Sequence, residues 1–74
     1  MLKKISDIFG IESQQLTLES APGDFPEWDS LGHLNLLASL EEEYDISFDM
    51  DETMSIQTIK DLKEILAKKG VDWL

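Results

Sequence analysis

The sequence predicts an all-α fold, a small bundle of three to four helices with a long loop between the first and second helices. Three segments repeat apolar residues at helical spacing, and polar caps or glycines mark their ends. No segment alternates apolar and polar residues for long enough to indicate a strand. Since 74 residues suffice for one small core, we expect a single domain over residues 1–74, with helices at about 2–9, 30–44, 51–54 and 56–69.

The first helix is short and is followed by a long loop. Leu2, Ile5, Ile8 and Phe9 share one helical face, and Gly10 is placed to end the helix. Residues 11–28 contain both prolines and show no sustained period. Loops of this length are uncommon in compact domains and are often functional. Its apolar residues are expected to pin it to the core: Ile11, Leu16, Leu18 and Phe25.

The second helix carries apolar residues on two faces. With about 100° per residue, one arc comprises Leu36, Leu37, Leu40 and Tyr44, and the other comprises Leu31, Leu34 and Ala38. A small bundle rarely buries so much of one helix, so we expect the first arc in the core and the second at the surface. An apolar arc with a polar rim is typical of a docking surface. The alternative is that the last helix or the long loop covers both arcs.

The last third of the chain predicts one long helix after a turn. The segment "DISFDMDETM" alternates too briefly for a strand, so we expect a turn with one helical turn at 51–54. In the final helix, Ser55 is the expected cap, lysines fill the last turn and Gly70 follows. The segment "VDWL" is expected to form an apolar tail.

The charge of the chain is strongly negative and unevenly distributed. The net charge is −10, and between Ile5 and Ile59 thirteen acidic residues occur without one lysine or arginine. Such a surface repels nucleic acids and anionic lipids, and it favours basic patches on other proteins. We identify no apolar run that could span a membrane and no signal peptide, so we expect a cytoplasmic protein. We also expect a monomer.

No catalytic or metal-binding motif is found. Asp49, Asp51 and Thr53 imitate the start of a calcium loop, but Met54 replaces its glycine and Lys60 its final glutamate. His33 has no second ligand or orienting acid in the sequence, and we interpret it as a packed or surface histidine. Ser30 and His33 on one helix do not form a nucleophilic triad. We therefore expect neither an enzyme nor a metal site.

The segment "EWDSL" raises the question of what Ser30 does. The simple answer is that Asp29 or Ser30 caps the second helix. However, "DSLGHLNLLASLEEEYDISF", preceded by a long loop and followed by "TIKDLKEIL", resembles the acyl carrier proteins over nearly the whole chain, from about Lys3 to Leu66. The acidic charge, the length and the absence of cysteine agree with this resemblance.

The resemblance implies that Ser30 carries 4′-phosphopantetheine, with Asp29 and Leu31 beside it. The arm would hold acyl groups as thioesters, partly sequestered between helices, and would serve fatty acid, polyketide or specialised lipid synthesis. The implied partners are a phosphopantetheinyl transferase and acyl ligases, synthases or transferases with basic docking patches. The implied partner contacts are Leu31, Leu34, Asn35, Ala38, Glu41 and Glu42, together with Asp29.

Three features depart from the common pattern of the family, and one of them is the short first helix together with the "VDWL" tail. Asn35 stands where fatty-acid carriers have a glutamate, and Trp28 replaces a small residue before the serine motif. These departures favour a carrier dedicated to a specialised pathway. Two alternatives to an acyl carrier are an aminoacyl or peptidyl carrier and an unmodified acidic interaction module.

Overall fold

A computed structural model describes residues 1–73 and contains four α-helices and one short 3₁₀ helix. Within these residues no strand occurs, and the all-α prediction is confirmed. The helices are α1 (Leu2–Phe9), α2 (Ser30–Tyr44), α3 (Met50–Ser55) and α4 (Ile59–Lys68), with the 3₁₀ turn at Ser13–Gln15. None of the helices in residues 1–73 has the length and hydropathy that a membrane crossing requires.

The helix ends follow local chemistry. Gly10 adopts a left-handed conformation (φ 79°) that ends α1, as the sequence predicts. Helix α3 begins with a capping box in which the side chains of Asp49 and Glu52 each accept an N–H from the other residue's backbone. It is therefore a six-residue helix, longer than the single turn predicted at 51–54.

The predicted start of the last helix is wrong by three residues. Ser55 is the last residue of α3, and Thr58 is the cap of α4, where its hydroxyl accepts the N–H of Asp61 at 3.2 Å. Of the two residues between them, Ile56 is extended and buried in the core. The long loop completes this end of α4, because two of its carbonyls accept the N–H groups of Ile59 and Lys60.

One hydrophobic core joins the long loop to three helices. Helix α3 contributes no buried residue, whereas the loop contributes three large apolar side chains. The buried hydrophobic residues are Ile5, Phe9, Leu16, Phe25, Trp28, Leu36, Leu37, Leu40, Ile56, Ile59, Leu62 and Leu66. Leu16 and Phe25 are thus loop anchors, as expected, and Ile11 and Leu18 pack partly buried against the same core.

The tail folds back onto α4. The N–H of Val71 donates to the carbonyl of Leu66 at 3.0 Å, and the Trp73 ring packs against the core with the Lys63 ammonium 5.7 Å from its centroid. The tail is therefore packed up to Trp73. Leu74, the last residue of the predicted apolar tail, lies outside the described residues.

Candidate functional site at the start of helix α2

The first turn of α2 separates the capping residue from the exposed serine. The Asp29 carboxylate accepts the N–H of Gly32 at 2.7 Å and caps the helix. Ser30 is the first helical residue and is exposed, and within residues 1–73 its hydroxyl makes no hydrogen bond. In the same part of the chain, the N–H groups of Ser30 and Leu31 find no acceptor. The serine oxygen is thus free beside two unused donors.

The long loop reaches this turn because Gly32 has no side chain. A Cβ at position 32 would overlap the backbone carbonyl oxygen of Glu27. The loop also closes on itself, since the N–H of Gly23 donates to the carbonyl of Trp28 at 2.9 Å. The close approach at Gly32 therefore sets the direction in which the chain enters α2 at Ser30.

Trp28 is fully buried directly before the serine turn. Its ring lies 5.3 Å from the Phe9 ring and 5.9 Å from the Phe25 ring, centroid to centroid. These are the distances at which aromatic pairs attract beyond their burial. Trp28, which is unusual for its position before the serine motif, is thus a core residue that connects the loop to α1.

His33 connects Trp28 to α3. The indole N–H of Trp28 donates to Nδ1 of His33 at 3.0 Å, and the two ring planes are nearly parallel, with an interplanar angle of 19°. Nδ1 accepts, so the proton of the neutral ring is on Nε2, which donates to the backbone carbonyl of Thr53 at 3.0 Å. We call this chain of contacts the His33 bridge. The interpretation of His33 as a packed residue therefore holds, but the sequence did not reveal the bridge.

An open apolar cleft of about 610 Å³ lies beside Ser30, between the loop, α2 and α3. Volumes of this size are usual for small-molecule sites. Its lining includes Trp28, Ser30, His33, Leu34, Thr53 and Met54. The residues from α3 were not predicted, because a six-residue helix is too short to show a period. The cleft brings the serine hydroxyl next to apolar side chains from two helices.

Helix α3 is held in place by few polar contacts. The Lys69 ammonium lies 2.9 Å from the Glu52 carboxylate and ties α3 to the end of α4. The backbone N–H of Asp49 and, second, the Lys69 ammonium lower the pKa of Glu52 below its ordinary value. On the other side, the His33 bridge ties α3 to α2. Since α3 has no buried side chain, these two contacts are expected to contribute to its position against α2 and α4.

The second arc of α2 is exposed, as predicted. Leu31 and Leu34 are 67% and 57% exposed, whereas the first arc places Leu36, Leu37 and Leu40 in the core. The loop and the last helix therefore do not cover both arcs. The polar and small residues predicted beside the leucines are exposed as well: Asp29, Asn35, Ala38 and Glu42.

Glu41 differs from its neighbour Glu42. It is half-buried, and its carboxylate accepts the N–H of Phe48 at 2.8 Å, which holds the turn after α2. Of the two acidic contacts predicted at this end of the helix, Glu42 is the exposed one. Glu41 already has a structural role.

Comparison with known proteins gives a consistent result. Residues 1–66 match the family model described as "Phosphopantetheine attachment site". The chain is 35% identical to an acyl carrier protein homolog of Mycoplasma genitalium over 79 residues, which cover 96% of this chain and 94% of that protein. It is also 35% identical to an acyl carrier protein of Syntrophobacter fumaroxidans, over 92% of this chain and 89% of that protein.

Proposed function

This chain belongs to the acyl carrier protein family, and from this premise we propose that Ser30 is its attachment point for 4′-phosphopantetheine. The observation that carries the proposal is the exposed Ser30 hydroxyl, which is left free because Asp29 caps the helix. In this role the protein is a cytoplasmic carrier and not a catalyst. It presents acyl groups to biosynthetic enzymes.

The residues at the start of α2 fit a phosphodiester. The unused N–H groups of Ser30 and Leu31 lie at the positive end of a 15-residue helix, where a phosphate is favoured. The Asp29 carboxylate adds a negative charge nearby, but its Oδ1 is already bonded to the Gly32 N–H. The group supplies a thiol, which this cysteine-free chain lacks, and with it the means to hold an acyl group as a thioester.

The exposed arc of α2 is the proposed docking surface for partner enzymes. Leu31 and Leu34 provide its apolar centre, Asn35 and Ala38 lie beside them, and Glu42 adds negative charge. With a net charge of −10, the protein is expected to associate with basic patches on its partners. The partners in question are a phosphopantetheinyl transferase and the ligases, synthases or transferases that load and use the acyl group.

The proposal is tested by incubating the apo-protein with coenzyme A and a broad-specificity phosphopantetheinyl transferase. In this reaction the Ser30 oxygen bonds to the pantetheine-bearing phosphorus, the diphosphate bond of coenzyme A breaks and adenosine 3′,5′-bisphosphate leaves. Intact-mass spectrometry should show one added phosphopantetheine on the wild type and on Ser39→Ala, and none on Ser30→Ala. A wild type without any added mass would contradict the proposal.

A further inference from the structure

The cleft beside Ser30 ends against the core, and one residue of its lining, Trp28, departs from the common family pattern. Leu34 and Met54 line it near the surface, and Trp28 and Ile56 line it where it meets the core. Trp28 has no exposed surface, and the rings of Phe9 and Phe25 lie behind it. The interior on that side is therefore filled by aromatic rings.

The His33 bridge blocks a second route into the core, the one between α2 and α3. An acyl chain that passes between α2 and α3 must separate the two helices. The hydrogen bond from His33 to the Thr53 carbonyl joins them, and the hydrogen bond from the buried Trp28 indole fixes the orientation of the imidazole. Opening the bridge under an apolar chain would leave the indole N–H and the Thr53 carbonyl without partners, which is unfavourable away from water.

We propose that Trp28 and His33 determine the length of the acyl group that this carrier accommodates. The cleft holds a short acyl group on the arm of Ser30, and the His33 bridge stops longer chains from entering the core. The inference rests on the proposed function, since it needs an arm at Ser30. It identifies the cargo class as short-chain acyl groups and explains why a tryptophan stands two residues before the attachment serine.

The test uses full-length protein loaded by a broad-specificity transferase from acetyl-, butyryl-, hexanoyl- and octanoyl-coenzyme A. Mass spectrometry first establishes that each form is loaded, and the melting temperature of each is then compared with the unacylated holo form of the same variant. Each further buried methylene would raise the melting temperature by several degrees in so small a domain. Since the His33 bridge keeps the added methylenes of longer chains out of the core, the wild-type acetyl and octanoyl forms should differ by less than about 2 °C.

Two variants weaken the His33 bridge, and with it the barrier to longer acyl chains, in different ways. His33→Ala removes the bridge, so the octanoyl form should melt about 5 °C or more above the acetyl form. Trp28→Phe keeps an aromatic ring in the core but removes the N–H that fixes the imidazole, and it should give a smaller rise of the same sign. Ser39→Ala, on the same helix but away from the cleft, should behave as the wild type. Comparing each acylated form with its own holo form cancels any general loss of stability.

The outcomes separate the two proposals. Failure of the wild type to gain mass contradicts attachment at Ser30 and removes the basis of this inference. A loaded wild type whose melting temperature climbs steadily from acetyl to octanoyl contradicts only the inference, as does a folded His33→Ala that shows no rise. If His33→Ala does not fold, Trp28→Phe decides the matter by the same criterion.

Discussion

The Oδ1 atom of Asp29 lies 2.7 Å from the backbone nitrogen of Gly32 and accepts its N–H, so the aspartate caps α2 and the following serine does not. This arrangement divides two tasks between adjacent residues. Asp29 satisfies the helix terminus, and Ser30 remains available for modification. The separation predicts that the two residues differ in their importance for stability.

Asp29→Ala should lower the free energy of unfolding by about 1 kcal/mol, the usual contribution of a cap. In a domain of this size the melting temperature should fall by about 4–8 °C. The neighbouring substitution Ser30→Ala is the matched control and should change stability by less than about 0.5 kcal/mol, since the serine side chain makes no contact that the fold needs. Urea unfolding of the apo-proteins measures both values. Equal losses would mean that the serine shares the capping role.

Gly32→Ala should destabilise the protein although alanine is the better helix former. In an open helix the substitution is expected to stabilise by about 1 kcal/mol. Here the new Cβ would overlap the Glu27 carbonyl, so the loop must move and we expect a loss of about 1–3 kcal/mol. The sign of the change in urea unfolding is the test. A stabilised variant would show that the loop does not press against α2.

The contribution of the Glu52 contacts should depend on pH. The pKa of Glu52 is lowered in the folded protein, by the Asp49 N–H and the Lys69 ammonium, so its stabilising contribution is present above the ordinary pKa of 4.5. It is lost as the pH falls through the lower folded value. Glu52→Gln should therefore melt below the wild type at about pH 7, and the difference should narrow towards about pH 3.

The control for this experiment removes the same charge elsewhere. Glu42 is exposed and forms no ion pair within residues 1–73. Glu42→Gln should not lower the melting temperature at neutral pH, because it relieves repulsion in a chain of net charge −10. If both variants lose the same stability, the anchoring of α3 by Glu52 and Lys69 would be refuted.

The exposed leucines of α2 should matter for partners and not for folding. Leu34→Ala and Leu31→Ala remove side chains that are more than half exposed. We expect stability changes within about 0.5 kcal/mol. The rate of modification by the transferase should fall about tenfold, the effect of losing about 1.4 kcal/mol at a docking contact. Met50→Ala, which removes a 75% exposed side chain on α3, is the control. Unchanged rates for both leucine variants would exclude this arc as the docking surface for the transferase.

Local patterns predict α1 and α2 well. They fail where contacts with residues distant in sequence determine where a helix begins. Ser55 and Thr58 are both acceptable caps, and Thr58 is used because the loop carbonyls of Leu18 and Ser20 accept the N–H groups of the residues that follow it. These partners lie about forty residues away, so no local pattern reveals them. The start of α3 could have been found, since Asp49 and Glu52 have the spacing of a capping box.

In the candidate site, too, some features follow from local patterns and others depend on contacts between residues distant in sequence. The two faces of α2 follow from helical geometry, and the exposed leucines were predicted on that basis. The His33 bridge was not, because Thr53 lies twenty residues from His33 and contributes only a backbone carbonyl. A sequence gives no signal for a backbone acceptor. For this reason His33 looked like an ordinary packed residue, although it joins two helices beside Ser30.

The most direct test of attachment at Ser30 is peptide mapping of the modified protein by tandem mass spectrometry. The chain has seven serines, and six of them lie outside the first turn of α2. After incubation with coenzyme A and the transferase, we expect one phosphopantetheine per chain, located on Ser30. A modified peptide that contains another serine instead, or an unmodified Ser30 peptide from protein that has gained the mass, would contradict the account.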